Sequence, residues 1–149
     1  MRLTQHTEYA FRMLIHAALR APMLTTVGEM AADFGLSAPH LNKVAQTLAA
    51  HNYLQTIRGR SGGLRLIREP GSIRLGQLAR LTEPDFHMAP CMASDPAGTH
   101  GPCPIYEPCV LRNALSQATN AFLSELDKWT LADLVERRNS LLVALGSQN

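Results

Sequence analysis

Residues 26–67, TVGEMAADFGLSAPHLNKVAQTLAAHNYLQTIRGRSGGLRLI, decide the fold. The stretch opens with capping-box spacing: Thr26 can accept from the backbone N–H of Glu29 while the Glu29 carboxylate reaches back to Thr26. A helix follows, with Met30, Ala31 and Phe34 as its buried candidates. Gly35 supplies a turn, and Ser37 is positioned to cap a second helix running to about Ala50. Leu41, Val44, Ala45 and Leu48 line one face of that helix. Two alternating runs come next, Tyr53–Ile57 and Leu64–Ile67, joined by the Gly- and Arg-rich tip Arg58-Gly59-Arg60-Ser61-Gly62-Gly63. Helix, turn, helix and hairpin in this order predict a winged helix-turn-helix.

The flanks extend the pattern. Thr4 is a candidate N-cap for a preceding helix to about Ala21, with Tyr9, Met13, Leu14, Ala17 and Ala18 on its apolar face and Pro22 past its end. Beyond the hairpin a short helix is expected over Leu75–Leu81. Six of the nine prolines then fall in residues 84–108, beside Gly98 and Gly101, which predicts a long irregular loop. A long helix leaves that loop, with Leu111, Leu115, Ala118, Phe122 and Leu126 stepping by three or four residues. A last helix is expected from Thr130, carrying Leu131, Leu134, Val135, Leu141, Leu142 and Leu145.

The expected fold class is therefore mainly α, a winged helix-turn-helix with a small β-hairpin wing and a long C-terminal dimerisation helix. Its expected organisation is a DNA-binding domain over residues 1–83, a cysteine-bearing cluster-binding loop over 84–109, and the dimerisation helix with a C-terminal helix over 110–149. One small winged domain cannot cover so long an apolar stripe, so a symmetric homodimer is expected.

A chain of 149 residues that is 46% hydrophobic can bury a core of its own. It has no run of about 18 uncharged apolar residues, and its opening, MRLTQHTEYAFRML, lacks the apolar run of a signal peptide. A cytoplasmic protein without a membrane span is expected. Residues 1–83 hold 10 Lys/Arg against 5 Asp/Glu, and residues 84–149 hold 4 against 7, so the charge is basic in front and acidic behind. That asymmetry suits a nucleic-acid-binding part joined to a part with another task.

The second helix of a helix-turn-helix enters the major groove, where base edges are distinguishable. Ser37, Pro39, His40, Asn42 and Lys43 are its non-core positions near the N-terminus, short or polar enough to approach bases or phosphates. At the hairpin tip, Arg58 and Arg60 suit an electronegative narrow minor groove, with Arg65 just beyond. The expected partner is a double-stranded, palindromic DNA operator. The competing class is a helical interaction module whose hairpin is an ordinary solvated turn.

Cys91, Cys103 and Cys109 are the only cysteines, spaced Cys-x11-Cys-x5-Cys. An odd number without a secretion signal argues against a disulfide framework. Structural zinc usually needs a Cys-x2–4-Cys pair, which is absent, whereas an iron–sulfur cluster accepts wider gaps. Each cysteine follows a proline, Pro90, Pro102 or Pro108, which presets the loop. Cys109 immediately precedes the long helix, whose N-terminal end favours negative charge. One ligand is missing; His87, His100 or a carboxylate from elsewhere, including a partner subunit, can complete the set. A thiol switch and a zinc site are the alternatives. No nucleophile signature is present, and a flexible loop holds catalytic geometry poorly, so no enzyme is expected.

MRLTQHTEYAFRML, the wing IRGRSGGLRL, the spaced cysteines and FLSELDKWTLADLV together resemble the NsrR-type nitric-oxide-sensing repressors of the Rrf family of winged-helix regulators. The iron–sulfur regulators IscR and RirA belong to the same family. The resemblance covers nearly the whole chain. It implies a homodimer crossing over through the long helix, and a cluster on Cys91, Cys103 and Cys109 whose attack by nitric oxide releases the operator. It also implies a carboxylate ligand near the partner's N-terminus, at the position of Glu8, where that pattern has Asp. The x11 gap is longer than in the NsrR pattern, and Glu8 is one methylene longer than Asp. Both leave the cluster open between 2Fe–2S and 4Fe–4S, and the signal open to redox state or iron. The alternative role for Glu8 is to complement the helix dipole.

Overall fold

Thr4 starts the first helix through its side chain, which accepts the backbone N–H of Thr7. A computed structural model describes residues 2–93 and 103–146. Helix α1 (Gln5–Arg20) has Glu8 in its first turn and Arg20 in its last, both complementary to the helix dipole. The predicted apolar face is buried, and Ala10 and His16 are buried with it. Helices α3 (Ala38–Ala50), α4 (Leu75–Thr82) and α6 (Leu131–Leu134) and strand β2 (Gly63–Leu66) all pack on α1, which makes it the central element.

Helix α2 (Val27–Phe34) has the complete capping box between Thr26 and Glu29. Gly35 closes it at φ 63°, a left-handed conformation that a residue without Cβ adopts freely. Met30 is fully buried, but Ala31 and Phe34 are only half-buried. Ser37 stands at the N-cap of α3, yet its side chain makes no capping hydrogen bond, contrary to expectation. Pro39 in the first turn lacks an amide that would need a partner, which lessens the need for that cap. Leu41, Val44, Ala45 and Leu48 are buried as predicted.

The wing is an antiparallel pair of β1 (Leu54–Ile57) and β2, with Leu54 opposite Leu66 and Ile57 opposite Gly63. Thr25 adds one bridge to Leu64, its N–H donating to the Leu64 carbonyl at 3.0 Å and its carbonyl accepting from Leu64 at 2.6 Å. The hairpin is thereby tied to the segment that leads into α2.

Helix α5 (Val110–Leu126) is the predicted long helix. Its Thr119 and Leu123 are the buried positions, and it packs on α4. The predicted stripe borders these positions and is only partly covered: Leu115, Phe122 and Leu126 are half-buried, Ala118 is exposed, and Leu111 is 65% exposed.

The single last helix expected from Thr130 is two. Thr130 and Asp133 form a capping box on the single turn of α6, and helix α7 (Arg138–Ala144) restarts after a break. The break serves two contacts in different places. Leu131 enters the core at 1% exposure, while the Arg138 guanidinium donates to the terminal carbonyls of α1, Ala18 at 3.2 Å and Ala21 at 3.4 Å.

The buried His16 is fully partnered. Its Nε2 lies 2.8 Å from Asp33 Oδ2 and its Nδ1 3.0 Å from the Thr25 hydroxyl. His16→Leu is expected to lower stability by about 2–3 kcal/mol, since the Asp33 carboxylate and the buried Thr25 hydroxyl both lose their ring partner; urea unfolding measures it.

Two carboxylates predict a loss of stability in acid. Burial works against the charge of Asp33, but hydrogen bonds from His16 and Arg20 outweigh it and hold the carboxyl below its ordinary value. Hydrogen bonds from Arg80 do the same for Asp127. Because both folded values are depressed, their contribution is complete above the ordinary aspartate range and disappears as pH falls through the lowered values. Unfolding free energy measured from pH 6 downward is expected to fall in that window, and less steeply in Asp127→Asn.

Candidate functional site

Two regions collect the residues singled out from the sequence. The first is the face made by α3 and the wing. Pro39, His40, Asn42 and Lys43 are exposed on the first turns of α3, with Ser37 exposed just before it, because Leu41, Val44 and Ala45 turn the opposite side into the core. Arg58 and Arg60 are exposed at the hairpin tip. Neither guanidinium, nor the Lys43 ammonium, makes a hydrogen bond or ion pair among the described residues.

The other hairpin arginines are occupied. Arg65 donates to Gln55 across the strands at 2.8 Å. Arg68 lies 4.2 Å over the Tyr53 ring and donates to the Asn52 and His51 carbonyls, holding the end of α3 to the segment that leaves β2. Of the hairpin arginines, Arg58 and Arg60 are the ones left for a ligand in trans among the described residues.

A groove runs between α3 and the hairpin, with Thr26, Asn42, Gln46 and Thr56 as its polar lining. Gln46 joins the candidate residues only here, although its spacing of four from Asn42 puts both amides on one helix face. A second, smaller pocket joins Gln5, His6 and Tyr9 of α1 to His40 and Lys43 of α3. The start of α1 thus borders the start of α3, a neighbourhood that no local sequence pattern carries.

The second region holds the thiols. Cys91 lies on a 3-10 turn, Pro90–Met92, that packs against α5, and Cys109 is the N-cap residue of α5. Both are half-buried, Cys103 is exposed, and none is in a disulfide. Cys103 begins a turn in which its carbonyl accepts from Tyr106 at 2.9 Å, and Arg112 of α5 stacks 4.1 Å over the Tyr106 ring. Among the described residues no three His, Cys, Asp or Glu side chains gather as a metal site. The donor set is nevertheless three thiols without a close Cys-x2–4-Cys pair, which fits an iron–sulfur cluster better than structural zinc.

The candidate fourth ligands that are described, Glu8 and His87, each have a local partner. Glu8 is half-exposed and ion-paired with Arg12 one turn along α1. His87 accompanies Asp85, whose carboxylate accepts the His87 backbone N–H at 2.9 Å and lies 3.5 Å from Nδ1. His100 lies outside the described residues. Glu83, at the end of α4 where the loop begins, accepts from the Thr4 amide at 2.7 Å and the Thr4 hydroxyl at 3.2 Å. The first turn of α1 therefore touches both the start of α3 and the start of the cysteine loop.

The sequence model of Rrf2, described as an iron-dependent transcriptional regulator, matches residues 3–137. The chain belongs to the Rrf2 family. Two relatives support an NsrR-type member. The HTH-type transcriptional regulator NsrR of Geobacillus kaustophilus is 43% identical over 143 residues, covering 95% of this chain and 94% of that protein. The NsrR of Bacillus subtilis is 37% identical over 146 residues, 97% of each. Among solved structures, IscR of T. potens superposes with a TM-score of 0.70 at 21% identity, over 92% of this chain and 88% of that one, a likeness of fold. As an Rrf2 transcriptional regulator the chain is not an enzyme. No helix of the described residues is long and apolar enough to cross a membrane.

The unpaired cations give a prediction. Lys43→Ala and Arg60→Ala are each expected to weaken binding to a selected duplex and to reduce the slope of log K against log salt by about one. Fluorescence anisotropy over a salt series measures both. If Arg60 enters a minor groove, discrimination between duplexes relaxes as well.

Proposed function

We propose that this Rrf2 regulator is a homodimeric repressor of a palindromic DNA operator, and that an iron–sulfur cluster makes its binding sensitive to nitric oxide. The observation that carries the proposal is that one chain bears both a face of unpaired cations and a group of unbridged thiols near the cap of a long helix. In this reading residues 1–83 bind DNA, 84–109 hold the cluster, and 110–149 form the dimer contact and the terminal helices.

Pro39, His40, Asn42 and Lys43, with Ser37 before them, meet the major groove, and Arg58 and Arg60 meet the backbone or the minor groove beside it. The exposed side of α5, from Val110 and Leu111 onward, is covered by a second copy. The two-fold axis would then pair the recognition helices on a palindrome. Cys91, Cys103 and Cys109 would hold the cluster, with Glu8 of a partner subunit as the fourth donor. When bound, the cluster supplies iron that nitric oxide can ligate. Arg12 engages one oxygen of Glu8, so the other could serve as the ligand and would tie a cluster to α1 of the partner subunit. That helix borders α3, which supports a route from the loop to the DNA face.

Anaerobic purification with iron and sulfide analysis tests the cofactor, Mössbauer spectroscopy separates 2Fe–2S from 4Fe–4S, and titration with nitric oxide tests the signal. Ala at Cys91, Cys103 or Cys109 is expected to remove the visible cluster absorbance and weaken specific DNA binding, while far-UV circular dichroism stays unchanged. A full cluster in Cys91→Ala would move the site to Cys103, Cys109 and other donors. Glu8→Ala is expected to keep a cluster with an altered spectrum and a smaller effect of nitric oxide on DNA affinity. A monomer at micromolar concentration in native mass spectrometry would contradict the dimer.

A further inference from the structure

One contact outside both candidate regions joins the winged part of the chain to α5. Arg80 of α4 forms a two-pronged ion pair with Asp127, the C-cap residue of α5, with Nη1 at 2.9 Å from Oδ1 and Nη2 at 2.8 Å from Oδ2. Parallel hydrogen bonds of this kind fix orientation as well as distance. Arg74, just before α4, donates to the Asp127 backbone carbonyl at 2.7 Å. The backbone is tied at the same place: Leu75 N–H donates to the Trp129 carbonyl at 3.0 Å, and Leu131 N–H donates to the Ile73 carbonyl at 2.9 Å.

Gly76 lies one turn before Arg80 on the same side of α4. A Cβ there would fall 2.2 Å from Asp127 Oδ1 and 2.8 Å from the Leu123 carbonyl, a backbone atom. Glycine thus permits the closest approach of the two helices, and Arg80 holds the angle at which they meet. At the other end of α5, Val110 and Leu111 are 78% and 65% exposed. The clasp is where α5 is gripped by the chain that carries α3 and the wing.

We propose that Gly76, Arg80 and Asp127 are positioning residues that set the spacing between the two DNA half-sites the dimer accepts. The proposal rests on the reading of α5 as the dimer helix. If two copies meet along α5, the angle between α4 and α5 fixes where each recognition helix lies relative to the two-fold axis. A small change of angle at Gly76 becomes a larger displacement at α3, and duplex half-sites recur only at intervals of the helical turn. None of the three residues belongs to the α3–wing face, so each acts on spacing without touching the half-site.

The test is selection from a random-sequence duplex pool by the full-length, anaerobically purified chain, with analytical ultracentrifugation alongside. The unmodified protein is expected to select paired half-sites at one spacing. Arg80→Ala is expected to select the same half-site sequence over a spread of spacings. Its affinity for the preferred palindrome should fall about tenfold, roughly 1.4 kcal/mol, with affinity for a single half-site unchanged. The exchange Arg80→Asp with Asp127→Arg is expected to restore the single spacing. Gly76→Val, which wedges the helices apart, is expected to shift the preferred spacing. A dimeric Arg80→Ala that keeps the single spacing, or that loses half-site and palindrome affinity equally, overturns the inference alone. An unmodified chain that is monomeric on DNA overturns the dimer reading and the inference with it.

Discussion

His16 is wholly buried in the middle of the helix on which the other elements lean, and it is held on both sides. A carboxylate can only accept, so Nε2 carries the proton toward Asp33, and the Thr25 hydroxyl completes the ring at Nδ1. Through Asp33 the ring fixes α2, and through Thr25 it fixes the wing, because the Thr25 backbone pairs with Leu64. An apolar side chain at position 16 could fill the space but could not specify which turn of α2 and which residue before it must meet α1. The relative placement of the helix-turn-helix and the hairpin depends on this directional contact, since packing alone tolerates sliding.

The division of labour among the arginines follows from the same frame. Arg20, Arg68, Arg74, Arg80 and Arg138 bind carboxylates, backbone carbonyls or an aromatic ring and hold elements together. Arg58 and Arg60 do not, and they stand where the hairpin reaches farthest from the core. A basic front half, as a composition, contains both kinds, and only the unpaired ones leave their charge to steer and bind a polyanion.

The cysteine region is built differently. Among its described residues, 84–93 and 103–109, the short 3-10 turn at Pro90–Met92 is the one helical element, and no side chain there is fully buried. It is connected at both ends to helices. Glu83 fastens its beginning to Thr4, and Cys109 is the residue from which α5 starts.

Local physics made much of this protein legible in its sequence. Thr4 and the Thr26–Glu29 box announced two helix starts, Gly35 the turn, and the glycines of the tip the hairpin, because caps and turns need particular side chains at particular offsets. The periodic faces of α1 and α3 identified their core residues, while the irregular loop expected over 84–108 falls partly outside the described residues. Ser37 failed as a cap beside Pro39, and the last helix broke after Leu134, where tertiary contacts compete with local preference: Leu131 is drawn into the core and Arg138 to the end of α1. Only the tertiary structure decided that Gln46 faces a groove closed by the hairpin, that Arg68 is occupied by the end of α3, and that Gly76 lies against α5. These are meetings of residues far apart in the chain. Their partners are chosen by how whole helices pack, and no offset along the sequence encodes that.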